Sequence, residues 1–189
     1  MKAFFRYLLI FGAANIVLWL VMFQIVPRVS EDKGDQRRYD EAMSNLQPAG
    51  GRQARLRELG DAALQSARMG KLEQAEKLGQ ELEASSPTNG DDIEKLHTAL
   101  GLVALKRGDI ATAKERLLAS GRAPETPVRS SFGPTMVLAK ALLEAGEKDT
   151  VLQHFGLCRT FWSFRANKLD EWTRDVKLGI PPDFAMNLK

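Results

Sequence analysis

Few side chains in this sequence invite chemistry: His97, His154, the single Cys158, and the carboxylates Asp61, Asp91 and Asp92. A histidine acting as a general base needs a proton donor or nucleophile within hydrogen-bond reach. His97 and His154 are 57 residues apart, each in an apolar, helix-like setting, so both are expected to be packed or solvated rather than catalytic. Arg159 beside Cys158 would favour a thiolate, but a lone cysteine on an apolar face is more often a packing residue. Asp61 and the Asp91-Asp92 pair suit the starts of helices, where a carboxylate meets the positive end of the helix dipole. The sequence has no glycine-rich phosphate loop, no His-Glu-x-x-His pair and no Ser-His-Asp order. One cysteine allows neither an internal disulfide nor a thiolate metal cluster. The expectation is a protein that is not an enzyme, with no catalytic residue, no cofactor and no metal.

The elements that would position a binding site are easier to read. Between Arg6 and Arg28 there is no charged side chain, and Tyr7 to Val26 is almost wholly apolar. Roughly 20 such residues cross ~30 Å of hydrocarbon at 1.5 Å per residue. The run meets Pro27 without a small-residue cleavage site, which favours a retained anchor over a removed signal. Counting basic residues alone favours a cytoplasmic C-terminal side. The short charged tail before the apolar run, however, looks like a bacterial signal anchor, which would leave the rest of the chain outside the cytoplasm, on the inner membrane. Beyond the span lie 25 of the 27 basic residues and all 24 acidic ones, so the remainder is near neutral and a nucleic-acid partner is not expected. Residues 28–53 are polar and rich in glycine and proline, which predicts a linker with one short helix near Arg37 to Leu46.

From Ala54 the chain is rich in strong helix formers and nowhere alternates like a strand, which predicts an all-α fold. Gly70, Gly108 and Gly146 each close one apolar-periodic stretch and open the next, at a spacing of 38 residues. A glycine can take the positive φ that lets a helix end and the chain reverse. Five residues on, Ala75, Ala113 and Val151 are small enough for the second helix to approach the first. A repeat of this length, each unit a helical hairpin unable to bury its own apolar face, predicts a stacked array over residues 54–158. Phe161, Trp162, Phe164, Leu169, Trp172 and Val176 then predict a capping helix, and the tail from Gly179, with Pro181-Pro182, cannot be helix interior; its Phe184 and Leu188 are free to pack back or to meet a partner.

The second unit resembles a tetratricopeptide repeat. Leu100-Gly101 stand at that family's Leu-Gly pair, His97 in its Trp slot, Ala104 in its Tyr slot, Ala113 in the small slot, Leu117 in the Phe slot and Pro124 near the closing proline. The first unit has Ala62-Ala63, Ala75, Gly79 in the large apolar slot, and Pro87. The third has Leu138-Ala139, Leu142, Val151 and Phe155. The family period is 34, so the connections around Ser85 to Gly90 and Gly121 to Gly133 would each carry about four extra residues. The resemblance implies that the first helix of each hairpin lines a groove for a partner peptide. On this alignment the lining is Arg57, Leu64 and Arg68, then Lys95, Leu102 and Lys106, then Met136, Lys140 and Leu143. Residues 11 apart are only about 20° out of line on a helix, so Arg57 with Arg68 and Lys95 with Lys106 face alike. Such a groove would suit an acidic peptide or protein. Leu64 and Leu102 stand where the carboxylate-gripping members carry Asn, so that specificity is not implied. The expected function is a membrane-anchored adaptor or scaffold, in the manner of an envelope assembly or quality-control factor; the alternative is a structural subunit of a larger membrane complex.

Overall fold

The computed structural model describes residues 33–46 and 50–188. The expected membrane segment, Tyr7–Val26, lies outside them, and none of the described helices is long and apolar enough to cross a membrane. Among the described residues there are nine α-helices and no strand. They are α1 (Lys33–Asn45), α2 (Arg52–Arg68), α3 (Leu72–Ala84), α4 (Gly90–Lys106), α5 (Ile110–Gly121), α6 (Pro127–Phe132), α7 (Val137–Glu144), α8 (Lys148–Cys158) and α9 (Ala166–Leu178), with 3₁₀ turns at Ser163–Arg165 and Ala185–Leu188.

The 38-residue spacing is visible in the backbone. Gly70, Gly108 and Gly146 have φ of 73°, 83° and 91°. Across them the N–H of Lys71, Asp109 and Glu147 donates to the carbonyls of Ser66, Ala104 and Leu142, each at 2.9 Å. Left-handed glycine with a six-to-one bond satisfies carbonyls that a helix end would leave open, and turns the chain sharply. Ala75, Ala113 and Val151 follow, all fully buried. So α2 pairs with α3, α4 with α5, and α7 with α8. The pairs meet through α2 on α4, α3 on α4, α4 on α7, and α5 on both α7 and α8. Two glycines make these contacts close. A Cβ at Gly79 on α3 would lie 2.6 Å from Leu100 Cδ2 on α4, and one at Gly101 on α4 would lie 2.3 Å from Leu138 Cδ2 on α7. The glycine in the large apolar slot of the first unit is thus the hole that Leu100 fills.

Three stretches depart from expectation. The polar segment expected to give reach contains α1, longer than anticipated and packed down: Ala42 is buried, Tyr39 Oη donates to Gln74 Oε1 of α3 at 2.9 Å, and Lys71 Nζ sits 3.5 Å from the Tyr39 ring centre. Asp61 is not at a helix start. It lies inside α2 and pairs with Lys95 of α4 at 2.6 Å. Residues expected to form a loop before Gly133 contain α6, because Thr126 Oγ1 accepts from the Arg129 N–H and Pro127 fits the first turn. With α7, this short helix fills the window that a single helix occupies in the second unit. The break is at Gly133-Pro134; Gly133 has a φ of 82°, and its lack of a Cβ lets the Trp162 indole lie against the backbone.

The Asp91-Asp92 pair does stand in the first turn of α4, capped by Asn89, whose side chain accepts from the Asp91 N–H at 2.8 Å. At the far end α9 buries Leu169, Trp172 and Val176 against α8. Each such side chain contributes about 1.5–3 kcal/mol when fully covered. We expect Gly108→Ala, at a positive φ with open space around it, to lower stability by about 1 kcal/mol in denaturant titrations. Gly156→Ala, exposed inside α8 with equally open space and no positive φ, should raise it by about 0.5–1 kcal/mol.

Candidate functional site

The reactive side chains meet in the interior rather than at the surface. His154 and Cys158 lie one turn apart on α8, both fully buried, with Sγ 3.4 Å from Nε2. Burial pushes the Cys158 thiol up, away from thiolate, and holds His154 down at about 4. Nearby, Arg129 of α6 is the largest fully buried side chain. Its guanidinium donates to the carbonyls of Ala123, Pro124 and Ser120, lies 3.9 Å from the centre of the Phe161 ring, and brings Nε within 3.4 Å of Glu94 Oε2. Glu94 Oε1 accepts from the Thr135 N–H at 3.0 Å. Burial raises the Glu94 carboxyl to about 7 against the pull of Arg129. This cluster ties α4, α6 and the 133–136 break together, and no solvent-facing nucleophile emerges from it. His97 is partly buried beside Arg116, at 3.1 Å, and burial followed by that cation holds its pKa down. Arg116 also lines a cleft of about 220 Å³ whose charges include two ion pairs, Glu76 with Arg107 and Glu83 with Arg116. Among the described residues no group of three or more His, Cys, Asp or Glu could hold a metal ion.

The row of first helices, α2, α4 and α7, carries the residues singled out by the repeat pattern. Arg57 and Lys140 are exposed; their nearest carboxylates are Glu58 at 3.4 Å and Glu144 at 3.7 Å. Leu64, Leu102 and Met136 are buried in the core rather than presented to solvent. Lys95 is committed to Asp61. Lys106, exposed, ends α4; desolvation lowers its pKa, and its Nζ lies beside Gly70. Arg68 ends α2 almost covered: one Nη donates to Asp35 of α1 at 2.5 Å and the other to the Leu188 carbonyl at 2.6 Å.

That second bond belongs to the C-terminal segment, which runs back over this row. Trp172 Nε1 donates to the Asp183 carbonyl at 2.9 Å, and Phe184 is buried edge-on to Trp172 and Phe155, with ring centres 5.0 and 6.2 Å apart. The Asn187 side chain donates to the carbonyls of Phe132 and Pro134 at 3.1 and 2.9 Å, and its own carbonyl accepts from the Met136 N–H at 2.7 Å. The break at Gly133-Pro134 thus exposes main-chain groups that a continuous helix would have used internally. Sequence patterning missed Arg129, Glu94 and Asn187, since charged and amide residues in irregular segments ordinarily signal solvent. Thr126-Pro127 was the available signal for α6.

Glu94 contributes stability that is complete below pH 4.5 and lost as the pH rises through about 7, whereas His154 contributes stability present above 6.5 and lost as the pH falls through about 4. The two slopes oppose each other. Melting temperatures of Glu94→Gln should therefore rise with pH between 4 and 6.5, and those of His154→Asn should fall between 4.5 and 7. Parallel profiles in the two variants would exclude these groups as the source. No protein-family model matches the chain, and comparison with curated proteins and with solved structures gives no match either.

Proposed function

We propose that this chain is a membrane-anchored, non-enzymatic adaptor, held by residues 7–26 in a bacterial inner membrane. Its extracytoplasmic, tetratricopeptide-like array of three hairpins captures a protein or peptide segment along α2, α4 and α7. The observation that supports this most is that α2 and the N-terminal end of α7 already hold adjacent carbonyls of a peptide segment, Leu188 through Arg68 and Asn187 through the Met136 N–H. Main-chain bonds of this kind give affinity without regard to sequence, and flanking pockets select the side chains. Arg57, Lys106 and Lys140 stand exposed along the same helices and favour an acidic partner.

A second reading, an accessory subunit of a larger membrane complex, draws on Val128, Phe132 and Phe164. These are 54%, 73% and 80% exposed, on α6 and the 3₁₀ turn packed against it. Apolar side chains clustered in this way suit a permanent protein contact.

A photocrosslinking residue at Lys106, with Lys77 on the outward side of α3 as control, separates the readings. A discrete adduct from Lys106 alone that salt diminishes is the expected result. Adducts from neither position, with a salt-resistant stoichiometric adduct from Phe164, would favour the subunit.

A further inference from the structure

The C-terminal segment is attached to the rest of the fold in an unusual manner. Phe184 is anchored by burial. The residues after it are held by hydrogen bonds, Asn187 to the 132–136 break and Leu188 to Arg68, and Leu188 also packs on the edge of the core. Between these anchors Ala185 has φ of 40°, a conformation that costs an L-residue with a Cβ, and Met186 is 69% exposed. The segment has no partner helix of its own, and its 3₁₀ turn is closed locally by the Asn187 N–H on the Phe184 carbonyl and the Ala185 N–H on Asp183 Oδ1. It sits as a bound peptide sits, with one aromatic anchor, a local turn, and main-chain bonds to a receptor surface made by α2, the 132–136 break and the Phe155–Trp172 pocket.

We propose that this surface is the adaptor's peptide site and that residues 183–188 are its resident, displaceable ligand. The partner segment it fits carries an aromatic residue, an Asn three positions later and an aliphatic residue next, the pattern of Phe184, Asn187 and Leu188. This rests on the reading of the chain as an adaptor and specifies its partner. An external peptide must compete with a tethered one, whose effective concentration is in the millimolar range. Binding is therefore weak until the tail is loosened. The Asn187 amide is the catch, because it alone gives two side-chain bonds to the break. Ala185 works in the opposite direction, its strained φ holding the docked tail close to release.

The test uses the full-length chain, two variants, and a labelled synthetic peptide with the sequence of residues 183–188. Asn187→Ala should increase peptide affinity about tenfold, the effect of one or two hydrogen bonds lost by the competitor. Ala185→Gly, which removes the strain and tightens the resident tail, should reduce it several-fold. In hydrogen exchange the Met136 and Asn187 amides should open locally, at least a hundredfold faster than those in the middle of α4, and Asn187→Ala should speed the amides of residues 136 and 187 without speeding those of α4. Equal affinity in all three proteins, or Met136 protection equal to that of α4, would overturn the displaceable tail and make it fixed core. That failure leaves the adaptor reading standing if the Lys106 adduct still forms, whereas loss of the adduct with peptide binding intact would instead remove the row of helices as the partner's main track.

Discussion

Each of the three hairpins among the described residues depends on one small device: a left-handed glycine with a main-chain hydrogen bond closed over it. A helix that ends without such a closure leaves its last carbonyls unpaired, and in a packed core those groups are costly. The closure at Gly70, Gly108 and Gly146 is made by the same six-to-one bond, 2.9 Å long in each, and a small residue follows five positions on in each second helix. These residues, Ala75, Ala113 and Val151, are fully buried. The close approach between neighbouring pairs rests on Gly79 and Gly101, where a Cβ would meet Leu100 and Leu138.

The third unit shows what happens when that regularity is interrupted. Its first helix is cut at Gly133-Pro134, and two consequences follow from the cut. The backbone groups at 132–136 become available, and the Thr135 and Met136 N–H groups and the Phe132 and Pro134 carbonyls bond to Glu94 and Asn187. The free half-helix α6 also carries Arg129 inward, where it accounts for the carbonyls of 120, 123 and 124. A buried guanidinium is tolerable only with this degree of pairing, and removing its carboxylate neighbour would strand the charge. The connection before α6 is pressed so close that Gly90 has no room for a Cβ beside the Pro124 carbonyl.

Much of the hairpin framework was legible because it rests on residue types that mean one thing. Glycine at a reversal, small residues at a helix contact, and apolar residues at helical spacing gave the turns at 70, 108 and 146, the buried stripe of α4, and α9 with its stop at Gly179. The candidate surface was less legible for a physical reason. A cation at the end of a helix looks the same in sequence whether it faces water or a carbonyl 120 residues away, as Arg68 does with Leu188. Leu64 and Leu102 fit the outward stripe by angle, yet lie in the core. Glu94 and Arg129 carry the signature of a solvated surface and sit in the interior. Asp61 suited a helix start, but its partner Lys95 belongs to the neighbouring pair.

The guanidinium of Arg68 bonds at once to the first turn of α1 and to the penultimate residue of the chain. Residues 35 and 188, more than 150 positions apart in sequence, are thereby brought to one spot at the end of α2. A change at this one side chain would loosen the attachment of α1 and of residue 188 together.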